Sequence, residues 1–350
     1  MAARTALVAG ASGLIGRRIC EHLIATGWRV IGLARSPRTS PGMQWIAVDL
    51  NDVADCTAKL GALNDVTHVF YAARYDHPEG APESVEINTA MLVNVVHALQ
   101  SSASLAHVHA VHGSKYYGHQ LGPVPVPLTE DAALRPDVEF AYARQLGAVE
   151  QVVDDWRLAR PGRTATVLRP VVAMAADGTS GLAAALAAGM GQRIGESDPP
   201  AQFLHLDDLA AAVMVAVRGR LDGAYNVAPD GWIAGERVRA LAGAVPRVRL
   251  PDRVNEVVMN LRWRFQRGPI PPGLHSYTRW PWLVANDKLK AAGWRPTVSN
   301  EQAYVEGTEA KWWTMVSPKR RQEVALGALV VGVLAVALTV VRAVRRARLR

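Results

Sequence analysis

Through the first 170 residues, short unbroken apolar runs alternate with longer stretches in which apolar positions recur every three or four residues. A run that is apolar at every position suits a strand buried on both faces, whereas the three-to-four repeat suits a helix with one buried side. The pattern predicts strands over 5–9, 29–33, 44–48, 68–72, 107–111 and 164–168, and helices over 14–25, 83–100 and 140–159. Strands that alternate with helices form parallel sheet covered on both faces, so the expected fold class is α/β with a doubly wound parallel sheet. From about Ala176 the rhythm loosens into an Ala/Gly-rich helix, a strand-like 223–227 and a Pro- and Trp-rich stretch over 245–294. The expected organisation is a sheet domain over 1–175, a smaller substrate-binding part over 176–316, some of it returning to the first domain, and a hydrophobic helix over 322–342.

Composition changes this picture in two places. At 49% apolar and 20% charged, the 350 residues are those of an ordinary globular protein, and Cys20 and Cys56 alone offer neither a disulfide framework nor a cysteine metal site. No secretory signal precedes the first strand, so the catalytic part is expected in the cytoplasm. The net charge of +8 does not point to nucleic acid, because much of the excess follows the apolar run 324–341, as Arg342, Arg345, Arg346, Arg348 and Arg350. That uncharged run reaches the lower limit, about 17 residues, for a membrane-spanning helix, and is read as an anchor to the cytoplasmic membrane. Its five trailing arginines outnumber Lys319, Arg320 and Arg321 before it, contrary to the usual charge bias, so a helix lying in the interface is an alternative. The aromatic group Trp263, Phe265, Trp280 and Trp282 suits an apolar pocket, a membrane surface or plain core.

Candidate chemistry begins at Gly10-Ala-Ser-Gly13-Leu-Ile-Gly16, which follows a predicted strand and opens a predicted helix. In that context Gly10 permits a tight turn, Gly13 clears the approach of a pyrophosphate to backbone, and Gly16 lets helix and sheet close together. The helix start attracts phosphate. The expected architecture is therefore Rossmann-type, with a dinucleotide held by Gly10, Ser12, Gly13, Leu14, Ile15 and Gly16. The second strand ends at Arg35, with Arg38 nearby and no acid over 32–40. A cation there accommodates a ribose 2′-phosphate, so NADP(H) is favoured over NAD(H). Asp49 and Leu50 are placed to contact the adenine, and Ala72 and Pro170 lie where the fourth and sixth strands end.

The segment Tyr142-Ala-Arg-Gln-Leu146 resembles the tyrosine helix of extended short-chain dehydrogenases, in which a lysine follows four residues after the tyrosine; here that position is Leu146. An unperturbed tyrosine titrates near about 10 and needs a neighbouring cation to work near neutrality. Lys115, in His112-Gly-Ser-Lys-Tyr-Tyr-Gly118 after the fifth strand, is the candidate, with a surface lysine as the alternative.

In this combination the chain resembles the progesterone 5β-reductase and iridoid synthase branch of extended short-chain reductases, within the NAD-dependent epimerase/dehydratase family. The resemblance rests on Gly113-Ser-Lys115-Tyr-Tyr, on Phe140-Ala-Tyr142 without the following lysine, on Arg35, on His68-Val-Phe-Tyr and on Asn88-Thr-Ala-Met-Leu-Val-Asn-Val. It covers about residues 5–169; beyond them Phe203-Leu-His-Leu-Asp-Asp-Leu-Ala210 and 283–294 look more like the wider family. The resemblance implies hydride delivery from NADPH to an activated enone, enal or carbonyl of a small apolar substrate, with Tyr142 and Lys115 polarising the carbonyl oxygen. Two rival readings stand beside it. A sugar-nucleotide epimerase or dehydratase is disfavoured by Leu146; an inactive, membrane-tethered dinucleotide-binding scaffold is favoured by Leu146 and opposed by Lys115. His205, Asp207 and Asp208 are read as a helix cap and not a metal site. The expected partners are the small-molecule substrate and the membrane, with a homodimer left open and no nucleic acid.

Overall fold

The unbroken apolar runs become the strands of a parallel sheet buried on both faces, in a computed structural model that describes residues 4–36, 38–74, 83–100, 102–120, 126–190, 199–242, 257, 261, 274–308 and 327. The first half runs β1 (Thr5–Ala9), α1 (Leu14–Ala25), β2 (Arg29–Ala34), β3 (Met43–Ala47), α2 (Val53–Leu60), β4 (His68–Tyr71), α3 (Glu83–Ala98), β5 (His107–Val111), a 3-10 turn (Ser114–Tyr117), α4 (Ala141–Leu158) and β6 (Thr164–Pro170). The second half adds β7 (Val172–Ala175), β8 (Gly178–Thr179), α5 (Gly181–Met190), β9 (Phe203–His205), α6 (Leu206–Gly219), β10 (Gly223–Val227), α7 (Gly235–Leu241), α8 (Leu274–Arg279), α9 (Asp287–Ala291) and α10 (Asn300–Gly307).

Seven strands pair in the order β10-β6-β5-β4-β1-β2-β3, every pairing parallel. The α/β fold with a Rossmann-type sheet is thus present, with one strand more than the six of the regular pattern. β10, read from sequence as strand-like, lies beside β6 and extends the sheet. The helix α2 was not anticipated: it is eight residues long, too short for a clear repeat, and its start is set by Asp52, whose carboxylate accepts from the amides of Ala54 and Asp55. A smaller sheet, β8-β7-β9, follows directly from β6.

Strand alternation sorts the core into layers. Ala6, Val8, Val30 and Phe70 pack with Ile19 and Leu23 of α1 and Leu209 and Val213 of α6. Leu7, Ala9, Ile31 and Val69 face the other way, against Leu60 of α2, Leu92 and Val95 of α3 and Val149 and Val153 of α4. A third cluster, including Phe140, Tyr142, Met174, Leu186, Phe203, Tyr277 and Trp282, draws together the second half and the start of α4. On the sheet face toward α1, β4 and β5 also bury a stack of rings. His68 lies 4.7 Å from Trp28, 4.3 Å from His107 and 5.7 Å from His109, and His109 lies 5.0 Å from Phe70.

The strand order reverses between β1 and β4, which opens a crevice at the carboxyl ends of the strands. An arginine-carboxylate cluster closes β7 and β8 over it: Asp177 pairs with both Arg17 and Arg18, and Arg18 also donates to Asp207 over 2.6 Å. Gly178 is where this hairpin meets α1, since a Cβ there would fall 2.5 Å from Leu14. The His205 imidazole accepts from the amide of Asp207 and caps α6, while Asp208 accepts from the amides of Thr297 and Val298.

The chain divides into two compact units, Met1–Thr308 and Glu309–Arg350. The apolar run 324–341 and its arginines, read from sequence as an anchor, lie outside the described residues except for Gly327, as do Trp263 and Phe265. Among the described residues, no helix is long and apolar enough to cross a membrane.

Candidate active site

The turn between β1 and α1 is built on close backbone contact. Gly10 has a φ of +83°, and a Cβ on it would fall 2.7 Å from the carbonyl of Ala72 on the neighbouring strand end. At Gly16 a Cβ would lie 2.0 Å from the Gly10 carbonyl oxygen, and at Gly13 3.2 Å from the same atom, which accepts the Gly13 amide. Gly13 supplies no side-chain cap to α1, so the first amides of that helix keep their donors for a ligand.

A cavity of about 630 Å³ runs from this turn along the strand ends. Gly10, Ser12, Gly13, Leu14 and Ile15 line its middle, Arg35, Asp49 and Leu50 one end, and Ala72 and Pro170 the floor toward β6. Gly16 is the one residue of the proposed cofactor set that does not line it; it sits behind the turn, against Gly10. Arg35 is exposed at the rim, and Arg38 lies over the ring of Trp45 at 6.0 Å. Asp49 is also engaged locally, its carboxylate accepting the amide of Asn51. From the other wall, Asn94 of α3 donates to the carbonyl of Leu50 over 2.8 Å and Asn88 donates to Gln145 over 3.0 Å, so α3 fixes both ends of the cavity.

The far end of the cavity carries Arg74, His112, Lys115, Gln145 and Leu146. Lys115 stands on the 3-10 turn after β5, half-buried, with its charged end deep in the protein. Desolvation, with the positive charge of Arg74 beside it, pushes its pKa down from 10.5 to about 7. A Cβ on Gly113 would meet Lys115 Nζ at 3.3 Å and Leu146 Cδ1 at 3.8 Å. The loop ammonium therefore approaches Gly113 at this end of the cavity, as does the Leu146 side chain. The Lys115 stem is fixed from the second half of the chain. The Tyr277 hydroxyl donates to the Lys115 carbonyl over 2.8 Å, and Nζ lies 5.5 Å from the centre of the Trp282 ring.

Tyr142 begins the same face of α4 as Leu146, one turn earlier. It is buried and does not line the cavity wall; its ring packs 5.5 Å from Phe140, and the Arg74 guanidinium stands 5.9 Å from its centre. Lys115 and Tyr142 thus share Arg74 as a neighbour. Behind them, Arg169 donates to the Tyr117 hydroxyl over 2.6 Å and pairs with Glu150, and Tyr117 donates to Asn226 over 2.9 Å. This buried network ties the turn that carries Lys115 to β6, α4 and β10.

Arg74, His112, Tyr277 and Trp282 were not assigned to the site from sequence. Arg74 and His112 each follow a strand end that was read correctly, and that position was the available signal. Tyr277 and Trp282 lie more than 150 residues after Lys115, and no local pattern joins them to it.

Comparison with known proteins agrees with this geometry. Residues 6–228 match the model of the NAD-dependent epimerase/dehydratase family. The chain is 32% identical over 176 residues to an (S)-8-oxocitronellyl enol synthase of Nepeta racemosa, a match covering 45% of each protein. It is also 32% identical over 178 residues to a 3-oxo-Delta(4,5)-steroid 5-beta-reductase of Arabidopsis thaliana, again 45% of each. The chain therefore spans less than half the length of these curated relatives. The fold extends further: a Thermus thermophilus UDP-glucose 4-epimerase in complex with NAD superposes with a TM-score of 0.65 at 20% identity, covering 87% of this chain and 97% of that one. The family match includes the glycine turn and the strand ends that line the cavity, so the site is a nicotinamide-dinucleotide site and the chain belongs to the NAD-dependent epimerase/dehydratase family.

Proposed function

We propose that the chain is an NADPH-dependent reductase of an activated C=C bond, in an enone or enal, or of a carbonyl, acting on a small apolar molecule. The observation that carries this reading is that Lys115 and Leu146 line the same end of the cavity, both close to Gly113. A cation near that position supports Lys115 in the role that the tyrosine helix leaves open. The relatives whose names describe enol synthesis and steroid 5β-reduction support the same class of reaction, and the sugar-nucleotide reading lacks the tyrosine-helix lysine.

Held by the glycine turn and the strand ends that line the cavity, the reduced dinucleotide would supply hydride chemistry at the electrophilic carbon of the substrate. As the bond to hydride forms, an electron pair moves onto the carbonyl oxygen, and the groups that hold this oxygen gain most in the transition state. Lys115, on the cavity wall, provides the positive charge beside that oxygen. Tyr142, buried behind the wall near Arg74, donates a hydrogen bond to it once its hydroxyl turns into the cavity on substrate binding, and solvent protonates the reduced product. With a pKa near 7, Lys115 is poised between donor and neutral amine at neutral pH. Its protonated form is the active one, so turnover falls as the pH rises through about 7. The preference for NADPH over NADH rests on Arg35 at the cavity rim, and the membrane reading rests on the sequence of 324–341 alone.

The test is a panel of enones, enals, aldehydes and UDP-sugars assayed with NADPH and NADH at the nicotinamide absorbance band. Lys115→Ala and Tyr142→Phe are each expected to lose about 10²- to 10⁴-fold in kcat while binding NADPH nearly as tightly as the parent. Full turnover by either variant removes the pair from the chemistry, and tighter binding of NADH than NADPH removes the role of Arg35.

A further inference from the structure

We infer that His112 is a cofactor-binding residue, an imidazole on the cavity floor that hydrogen-bonds the nicotinamide-nucleoside half of the dinucleotide. The inference rests on the dinucleotide site described above and adds a contact on the half that the glycine turn does not reach. His112 is the first residue after β5, and its amide donates to the Leu168 carbonyl over 2.8 Å, which holds the strand ends of β5 and β6 together at this point. Its side chain lines the cavity, yet both ring nitrogens are buried and neither finds a hydrogen-bond partner in the protein.

A buried imidazole with two unused polar atoms is expensive to leave so, and native proteins satisfy nearly all such groups. His109, three residues earlier, also has unpartnered nitrogens, but it does not line the cavity and is stacked against His68 and Phe70 inside the core. His112 instead faces a space that a ligand enters. Burial and the nearby Arg169 hold it neutral, with a pKa of about 3, so it offers one donor and one acceptor. Position selects the half of the ligand. The adenosine end is marked by Arg35 and Asp49 at β2 and β3, and the reacting end by Lys115. His112 lies on the strand-end floor beside Pro170, where a dinucleotide bound across the switch point places its nicotinamide riboside. A ribose hydroxyl and the ring carboxamide each present the donor and acceptor that a neutral imidazole can meet.

The test uses calorimetry on the full chain with two probes, NADPH and adenosine 2′,5′-bisphosphate, which fills only the adenosine end. His112→Ala is expected to weaken NADPH about tenfold, the scale of a lost hydrogen bond to a buried group, and to leave the bisphosphate unchanged. His112→Gln, which keeps a donor and an acceptor, is expected to recover part of the loss. His112→Leu in the unliganded protein is expected to unfold at or above the temperature of the parent, because it removes unpaired polar atoms at similar volume. Unchanged NADPH affinity in His112→Ala, or equal weakening of both probes, overturns the assignment. Failure of the parent chain to bind either probe overturns the dinucleotide site itself, which separates the two outcomes. The reduced 3-acetylpyridine analogue keeps the ribose and the ring carbonyl but loses the amide NH2; a tenfold difference retained with it places the contact on the ribose or the carbonyl, and a difference lost places it on the NH2.

Discussion

The two ends of the cavity are made in opposite ways. At the glycine turn, seven consecutive residues fold on themselves, and what they build is a backbone surface with its amides available. At the lysine end, no segment is sufficient. Lys115 comes from the turn after β5, Leu146 and Tyr142 from α4, Arg74 from the end of β4, and the carbonyl clamp and aromatic face from Tyr277 and Trp282. The first end is satisfied locally. The second holds an ammonium in a place that resists its charge, next to another cation. Binding machinery made of backbone tolerates no added side chain, whereas machinery made of side chains carries electrostatic strain that the rest of the fold has to absorb.

Removing the strained charge is the sharpest way to break this contrast. Because the folded-state pKa of Lys115 lies near 7 against 10.5 for the free side chain, its cost to the fold is complete below pH 7 and disappears above about pH 10.5. Lys115→Met is therefore expected to stabilise the protein at pH 6, by up to about 5 kcal/mol, while abolishing reduction. Denaturant unfolding at pH 6 and pH 10.5 checks it, and an equal effect at both values denies the strain. At the other end, Gly16→Val places a side chain 2.0 Å from the Gly10 carbonyl oxygen. It is expected to cost on the order of 3 kcal/mol and to eliminate NADPH binding, both measurable on one purified variant.

A pH-dependent effect separates the sheet from either end. Burial lowers the pKa of His68 to about 2 and of His109 to about 3, with His107 also lowered beside them and Arg4 and Arg220 adding positive charge. These groups bind protons more readily unfolded, so stability should fall as the pH drops from 6.5 toward 3, by up to about 1.4 kcal/mol per pH unit for each. His68→Phe with His109→Phe should flatten that slope in denaturant titrations between pH 7 and pH 4.5. Smallest is Tyr277→Phe, which removes the hydroxyl clamp on the Lys115 carbonyl. About 1 kcal/mol of stability and a fall in kcat are expected, with NADPH affinity unchanged; a change in affinity instead would mean that the two ends are coupled.

Legibility in the sequence follows the same division. The strands 5–9, 107–111 and 68–71 were readable as short runs dense in apolar residues between turns, even where His68, His107 and His109 interrupt them, and α1 because its glycine turn and repeat coincide. The eight-residue α2 was not, since its start depends on one capping aspartate. Gly10 to Ile15, Arg35 and Asp49 could be placed near one cavity from sequence because each follows a strand end or glycine turn legible in its own segment. Lys115 could be proposed from the absence of a lysine at 146, but only as one candidate cation.

The amino-acid sequence by itself determined the parallel sheet, the dinucleotide turn and the missing helix lysine, because each is written in residues within a few positions of one another. The tertiary structure alone decided where the Lys115 ammonium stands, that burial with Arg74 beside it depresses its pKa, that His112 faces the cavity with both nitrogens unused, and that Tyr277 holds the loop from 162 positions away. Contacts across that separation leave no periodicity to read; they exist only once the sheet has brought its strand ends together.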